Sequence, residues 1–243
     1  MASFTEVARE DCRSDGVVTM RDEDLSGQAS RYRRMLDDEE PYRVSLGPVD
    51  VDTLAAMRVR VAEAMALIRR ADPELASEIA VLGRQLVLAD GAAGAMKFSG
   101  ASTFFLWGAL IVNPATNADP LALAETLAHE SGHALLFGLA DAEALVNNPP
   151  DERYPSPLRP DPRPMEGIVH ATYVLARMER VMRAIASRCA LSAGERERAS
   201  AMAESSRELF LDGRRVVREH ARFTDRGRAI FESCVASAMA APA

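Results

Sequence analysis

The chain has 243 residues, of which 48% are hydrophobic and 27% are charged, and this composition excludes an intrinsically disordered protein. The formal net charge of -7 argues against a nucleic-acid partner, because phosphate binding needs a clustered basic surface. A chain of this length can bury one sizeable core, so we predict a single domain over residues 1–243.

The sequence also indicates where the protein resides. Residues 1–11 are acidic and contain no apolar segment of the kind found in a secretory signal. The longest apolar run, residues 104–112, is far too short to span a bilayer. Cys12, Cys189 and Cys234 are odd in number and widely spaced, which is typical of reduced thiols. We therefore predict a cytoplasmic protein without a membrane partner.

The first part of the chain is predicted to be largely helical. Residues 1–50 are rich in charge and weakly periodic, and we predict short helices around a mobile N-terminal segment. Over about residues 52–90 the apolar residues recur at helical spacing, up to Leu86. The dipeptide Asp72-Pro73 divides this stretch into two helices, with proline at the first position of the second.

The segment 99–112 (SGASTFFLWGALIV) has a different character. Its glycines and its aromatic and branched residues predict one or two strands, which could pair as a hairpin. Phe104, Phe105 and Trp107 are interpreted as core residues of a strand, with the lining of a peptide cleft as the alternative.

The rest of the chain is predicted to consist of helices and one long loop. Asp119-Pro120 provides an N-cap and a first-position proline for a helix that reaches about residue 138. Residues 147–164 hold seven prolines and no helical pattern, and a loop of this length is typically functional. Helices follow over residues 165–188 and about 193–223, with a last one near the end. The predicted fold class is mainly α with a small β element.

Two of the four histidines form a metal-binding motif. Residues 129–133 read His-Glu-Ser-Gly-His, an H-E-x-x-H sequence within a predicted helix. The spacing of four places His129 and His133 on one helix face, with Cβ atoms about 6 Å apart, so that both can bind one ion. Glu130 lies about 60° around the helix from His133, within reach of a metal-bound water. We therefore predict a single-domain helical metalloenzyme.

A third ligand must come from another segment, because two imidazoles do not complete a catalytic metal site. The candidates are Glu166 and His170, which are four residues apart on the helix that follows the proline-rich loop. A set of two histidines and one carboxylate describes both zinc metalloproteases and non-haem iron oxygenases. Residue type and spacing leave the choice between Glu166 and His170 open.

Two arginines of the loop are candidates for binding a carboxylate. Arg159 and Arg163 lie in the sequence SPLRPDPRPMEGIVH, and Arg163 precedes His170 by two helical turns. A planar guanidinium suits the carboxylate of a cosubstrate or of a peptide. The alternative is a surface arginine that pairs with Asp151, Glu152 or Asp161. The flanking prolines stiffen the backbone and favour a positioned side chain.

These motifs together resemble a known family. An H-E-x-x-H helix that is followed by PLRPDPRPMEGIVH and then by ATYVLARM is similar to the HExxH-type peptide β-hydroxylases. Those proteins are Fe(II)- and 2-oxoglutarate-dependent dioxygenases of bacterial peptide-modification pathways. The resemblance covers about residues 95–185, the expected metal-site core, and depends on two separate motifs in the same order.

The resemblance implies an activity and its metal ligands. It implies that Fe(II) binds to His129, His133 and His170, and it favours His170 over Glu166. It also implies hydroxylation of a side-chain carbon, at the β position, in a peptide that could be a ribosomal precursor. The reaction would use 2-oxoglutarate, with O₂ as co-substrate.

The resemblance also assigns roles to the neighbouring polar residues. It makes Arg163, more than Arg159, the residue expected to bind the carboxylate of 2-oxoglutarate. In an oxygenase Glu130, the candidate catalytic residue, would orient a ligand or a water rather than act as a general base.

Two other classes of protein remain open. The first is a zinc-dependent metalloprotease or other hydrolase, in which the histidine pair and Glu166 bind Zn²⁺ and Glu130 is the general base. Gly132 inside the motif, and the lack of a familiar protease segment downstream, count against it. The second is a non-catalytic peptide-binding module, whose structural metal would need a fourth ligand. His220 has charged neighbours and is predicted to be an ordinary surface or packing histidine.

Overall fold

The computed structural model describes residues 16–37, 46–91, 98–141 and 143–239, and over this part of the chain 62% of the residues are helical. The α-helices of the described residues are α1 (Ala29–Asp37), α2 (Val51–Ala71), α3 (Pro73–Leu82), α4 (Pro120–Leu139), α5 (Met165–Arg188), α6 (Ala193–His220) and α7 (Asp225–Met239). The prediction of a mainly α fold with a small β element is confirmed.

The strands form two small sheets. The strands of the described residues are β1 (Val17–Thr19), β2 (Leu46–Gly47), β3 (Gln85–Leu88), β4 (Asp90–Gly91), β5 (Gly100–Ala101) and β6 (Ala109–Val112). The larger sheet has the order β1-β3-β6-β5, in which β1, β3 and β6 are parallel and β5 is antiparallel to β6. The smaller sheet pairs β2 with β4.

Contacts divide the chain into two compact units. The first unit is Met1–Arg69 with Pro73–Ala134, and it contains both sheets and the H-E-x-x-H motif. The second unit is Arg70–Asp72 with Leu135–Ala243, and it contains α5, α6 and α7. The prediction of a single domain stays a prediction.

The prediction for residues 1–50 can be compared with the structure only in part. Residues 1–15, which include Cys12, and residues 38–45 lie outside the described residues, and so does this part of the predicted mobile segment. The helix α1 agrees with the short helices predicted there. The strands β1 and β2 have no counterpart in the prediction.

The division at Asp72-Pro73 is confirmed, whereas the predicted extent of the second helix is wrong. The helix α3 ends at Leu82, and Leu86 lies in the buried strand β3. Gly83 follows the helix, and its N–H still donates to the backbone oxygen of Ile79. A short apolar run such as QLVL has no periodicity that separates a helix end from a buried parallel strand.

The predicted hairpin is confirmed, but the burial of its aromatic residues is not. Strand β5 pairs with β6, and a short 3₁₀-helix, Phe104–Leu106, lies between them. Phe104 is 49% exposed, Phe105 62% and Trp107 42%, so the interpretation of these side chains as core residues is wrong. Leu106 is the residue of this turn that enters the core, and it is 2% exposed.

The second unit is built on the packing of α5 against α6 and α7. Its core contains buried apolar residues from these helices and from the end of α4, among them Leu136, Ile168, Val217 and Phe231. The predicted bounds of α5 are confirmed. None of the helices in the described part of the chain combines the length and the apolarity that a membrane crossing requires.

The helix α6 ends three residues before the predicted Phe223 because the proline-rich loop binds its end. The backbone N–H of Arg222 donates to Oδ1 of Asn148, and the N–H of Asn147 donates to the backbone oxygen of Arg222. These contacts take the place of the next helical hydrogen bonds. The loop itself, residues 147–164, contains no helix, as predicted.

Candidate metal centre

The helix α4 carries the H-E-x-x-H motif, and its start is defined by the predicted cap. Oδ1 of Asp119 accepts hydrogen bonds from the backbone N–H groups of Leu121 and Ala122, at 3.0 and 3.2 Å. These bonds satisfy two of the N–H groups that a helix leaves without a partner at its first turn. The helix is then buried on several sides, which limits how bulk water can reach the motif.

The two histidines of the motif converge. The Nε2 atoms of His129 and His133 lie 3.2 Å apart, and the ring centroids lie 4.8 Å apart. Two imidazole nitrogens that each lie about 2.1 Å from one ion are about 3.0 Å apart at a right angle and about 3.4 Å apart at the tetrahedral angle. The observed separation fits this range, so the pair can bind one divalent metal ion.

The carboxylate of Glu130 is held beside this pair. Glu130 is only 4% exposed. Its Oε2 accepts a 2.7 Å hydrogen bond from the hydroxyl of Ser102, and its Oε1 lies 3.9 Å from Nε2 of His129. A Cβ on Gly100 would lie 2.7 Å from Oε1 of Glu130, so only glycine leaves room for the carboxylate at this position of β5. The arrangement holds the carboxyl group of Glu130 next to the candidate metal ligands.

Sequence reasoning did not identify Ser102 or Gly100. Both lie in a segment whose composition indicates a hairpin, and neither residue type carries a metal-site signal. The hairpin has a second attachment to α4, because the indole N–H of Trp107 donates to the backbone oxygen of Ala134 at 2.7 Å. The loop between β5 and β6 is therefore bound to α4 on both sides of His133.

The two candidates for the third ligand have different surroundings. In the second unit His170 is buried at 9% exposure and its ring lies 5.5 Å from that of Phe137, whereas Glu166 is exposed. Burial lowers the pKa of His170 to about 4, so its imidazole is neutral at physiological pH. A neutral imidazole is the form that binds a metal ion.

Arg163 and Arg159 also differ in their contacts and in their exposure. The backbone of Arg163 pairs with that of Tyr154 through two 2.9 Å hydrogen bonds, and its Nε lies 2.8 Å from Oδ2 of Asp161. Arg159 is exposed, and its backbone N–H donates to the hydroxyl of Ser156. Arg163 is therefore the better positioned of the two, and its partner is one of the three acidic residues of the alternative interpretation.

A polar network fixes the part of the proline-rich loop that pairs with Arg163. The hydroxyl of Tyr154 donates to Oε2 of Glu152 and accepts a 3.0 Å hydrogen bond from Nδ2 of Asn148. The guanidinium of Arg222 contacts both oxygens of Glu152 at 2.6 Å and holds the pKa of that carboxyl below its usual range. The ring of Tyr154 also packs 5.2 Å from that of His220, which agrees with the predicted packing histidine.

The predicted site residues thus belong to different units. His129, Glu130 and His133 come together in the first unit, whereas Arg163 and His170 lie in the second. Within neither unit, over the residues described, do three side chains of His, Cys, Asp or Glu gather as a metal-binding group. Comparison with known proteins adds no assignment, because no protein-family model matches the chain and no curated protein is significantly similar to it.

Proposed function

We propose that the protein is an Fe(II)- and 2-oxoglutarate-dependent dioxygenase that hydroxylates a side-chain carbon, at the β position, in a peptide. The observation that carries the proposal is the 3.2 Å approach of the Nε2 atoms of His129 and His133. Imidazole nitrogens at this separation suit a first-row transition metal such as Fe(II). The resemblance of the two motifs to the HExxH-type peptide β-hydroxylases supplies the metal and the cosubstrate.

In this proposal His129, His133 and His170 bind the iron. Two features favour His170 over Glu166 as the third ligand. The imidazole of His170 is neutral because burial lowers its pKa to about 4, and it needs no deprotonation before it binds a metal. The side chain of Glu166 is exposed, so its carboxylate is hydrated and metal binding would have to remove that water.

Arg163 is proposed to bind the distal carboxylate of 2-oxoglutarate. Its guanidinium already lies 2.8 Å from a carboxylate, that of Asp161, and can exchange this partner for a ligand. The backbone pairing with Tyr154 keeps the arginine in one place. Iron with 2-oxoglutarate and O₂ supplies the oxidising power, and the products are the hydroxylated peptide, succinate and CO₂.

Glu130 is proposed to act as a positioning residue. Its carboxylate is buried and is held by Ser102 at 2.7 Å, which leaves it little freedom to turn towards a substrate. From this position Oε1, 3.9 Å from Nε2 of His129, attracts the positive charge of a bound metal and keeps the imidazole aligned.

A peptide-independent experiment tests the metal and the cosubstrate. Fe(II) and then 2-oxoglutarate are added to the anaerobic protein, and a chelate of a 2-oxo acid with Fe(II) is expected to produce a visible charge-transfer absorption. The absorption should be lost in His129→Ala and should require a higher concentration of 2-oxoglutarate in Arg163→Ala. Succinate should then form on admission of O₂, and succinate release at full rate without O₂ would refute the proposal.

One observation favours a zinc hydrolase as the second candidate. Glu130 lies close enough to His129 to reach a water molecule on a metal ion bound by the pair, as a general base must. In that case the third ligand would be Glu166. Cleavage of unstructured casein by the zinc-loaded protein without O₂, and its loss in Glu130→Gln, would establish this candidate.

The proposed substrate is a peptide, and a ribosomal precursor peptide is the source that the resemblance suggests. A peptide can place a side chain at the metal while its backbone is bound elsewhere. The proposed function needs no nucleic acid and no membrane.

A further inference from the structure

An exposed aromatic surface adjoins the helix that carries the histidine pair within the first unit. Phe104 is 49% exposed, Phe105 62% and Trp107 42%, and the two phenylalanine rings lie edge to face with centroids 6.1 Å apart. The turn is nevertheless ordered by its fourth apolar residue, Leu106, which is buried in the core. Large apolar side chains that are exposed together mark a binding surface, because their hydration is unfavourable.

Two hydrogen bonds fix this aromatic surface, defined as Phe104, Phe105 and Trp107, against the metal-binding motif. The hydroxyl of Ser102 donates to Glu130 and the indole N–H of Trp107 donates to the backbone oxygen of Ala134, each at 2.7 Å. The turn that carries the three rings therefore passes alongside residues 130–134 of α4. A ligand on this surface would therefore be bound beside the helix that carries His129 and His133.

The chemistry of the surface defines its ligand. Residues 98–113 contain no charged side chain, so the hairpin itself offers apolar contact to a ligand. A charged or strongly polar group would lose hydration there without compensation. We infer that the aromatic surface binds an apolar side chain of the peptide substrate, aliphatic or aromatic, close to the residue that is modified. This inference rests on the proposed function, since it takes the substrate to be a peptide.

A selection experiment tests the inference on the full chain as purified. Random dodecapeptides are selected by mRNA display on the wild-type protein, on the double variant F104S/F105S and on V81S. Val81 is 68% exposed and provides a matched control for the loss of a surface apolar side chain. The wild type and V81S should enrich peptides with at least one apolar position, and these peptides should bind F104S/F105S at least about tenfold more weakly.

Intrinsic fluorescence locates the binding. Trp107 is the only tryptophan in the chain, so its emission reports on this surface alone. A selected peptide should shift the emission of the wild type to shorter wavelength and reduce its quenching by acrylamide. Both effects are expected because the peptide shields the indole ring from water. Circular dichroism checks that the double variant is folded, and F105S, changed at the most exposed of the three positions, replaces it if it is not.

Three outcomes would overturn the inference: no peptide enriched on the wild type, equal binding to all variants, or tight binding without a change in Trp107 emission. Self-association of the wild type that F104S/F105S abolishes would assign the surface to a second copy and overturn it as well. Failure of the proposed function is distinguishable. Peptide binding at the aromatic surface without O₂-dependent succinate formation would refute the reaction and keep the binding site.

Discussion

The hydroxyl of Ser102 donates a 2.7 Å hydrogen bond to Oε2 of Glu130, a carboxylate that is almost completely buried. The two residues are 28 positions apart in the chain, and the bond ties the hairpin of the first unit to the H-E-x-x-H motif. A buried carboxylate depends on such donors, because desolvation without a partner is costly. The alignment of the motif therefore depends on the hairpin as well as on α4.

The variant Ser102→Ala should be less stable than the wild type. The substitution removes the hydroxyl that donates to the buried Oε2 of Glu130, so the cost of desolvating this oxygen is no longer offset. The free energy of unfolding should therefore fall by about 1–3 kcal/mol. Urea denaturation monitored by circular dichroism measures this quantity. Ser99→Ala, an exposed position of the same hairpin, is the control and should be nearly neutral. An equal loss in both variants would contradict the prediction.

The variant Gly100→Ala should displace Glu130. A methyl group there would lie 2.7 Å from both Cγ and Oε1 of Glu130 and 2.9 Å from Cγ2 of Thr126, and all three distances are shorter than contact distance. We expect a loss of about 1–3 kcal/mol in the free energy of unfolding. Gly194→Ala in α6 is the matched control, because nothing lies within 4 Å of the added methyl group. That variant should be neutral or slightly more stable, since alanine favours the helix.

Metal binding should depend on three of the four histidines. Equilibrium dialysis with Co²⁺ or Fe(II) should show strong loss of binding in His129→Ala, His133→Ala and His170→Ala. His220→Ala is the control and should retain full metal content, because its ring packs on Tyr154 in a network of its own. Retention of metal in His170→Ala together with its loss in Glu166→Ala would reverse the assignment of the third ligand.

Asp161 should compete with a bound carboxylate for Arg163. The pair is 2.8 Å apart and partly exposed, so its net contribution is small. In Asp161→Asn the affinity for 2-oxoglutarate, measured by the anaerobic absorption titration, should rise by about twofold to fivefold. Asp151→Asn removes an exposed carboxylate of the same loop and should leave the affinity unchanged. Weaker binding in Asp161→Asn would show that Asp161 supports the ligand instead.

Cys234 should make stability fall at alkaline pH. Burial raises the pKa of its thiol from 9.0 to about 12, so the folded protein holds this proton more tightly than the unfolded chain does. The stabilisation is complete below about pH 9 and is lost as the pH rises towards the folded-state pKa. In urea denaturation, the free energy of unfolding of the wild type, relative to that of Cys234→Ala, should therefore fall as the pH rises above about 9. A difference that is constant with pH would refute the prediction.

The sequence by itself determined those features that depend on neighbours in the chain. Asp119 caps α4 because its side chain reaches N–H groups two and three residues ahead, and Pro73 begins α3 because proline suits the first turn of a helix. The spacing of four brings His129 and His133 together by helix geometry alone. All of these relationships act within about one helical turn, so they can be read from the sequence.

Only the tertiary structure decided the features that depend on distant residues. Leu86 lies in a strand because β1 and β6 pair with it, and Phe104, Phe105 and Trp107 are exposed because Leu106 takes the place in the core. The contact between Ser102 and Glu130 likewise joins two elements that are far apart in the chain. Burial and long-range hydrogen bonds depend on which segments contact each other, and these contacts cannot be read from residue type and spacing.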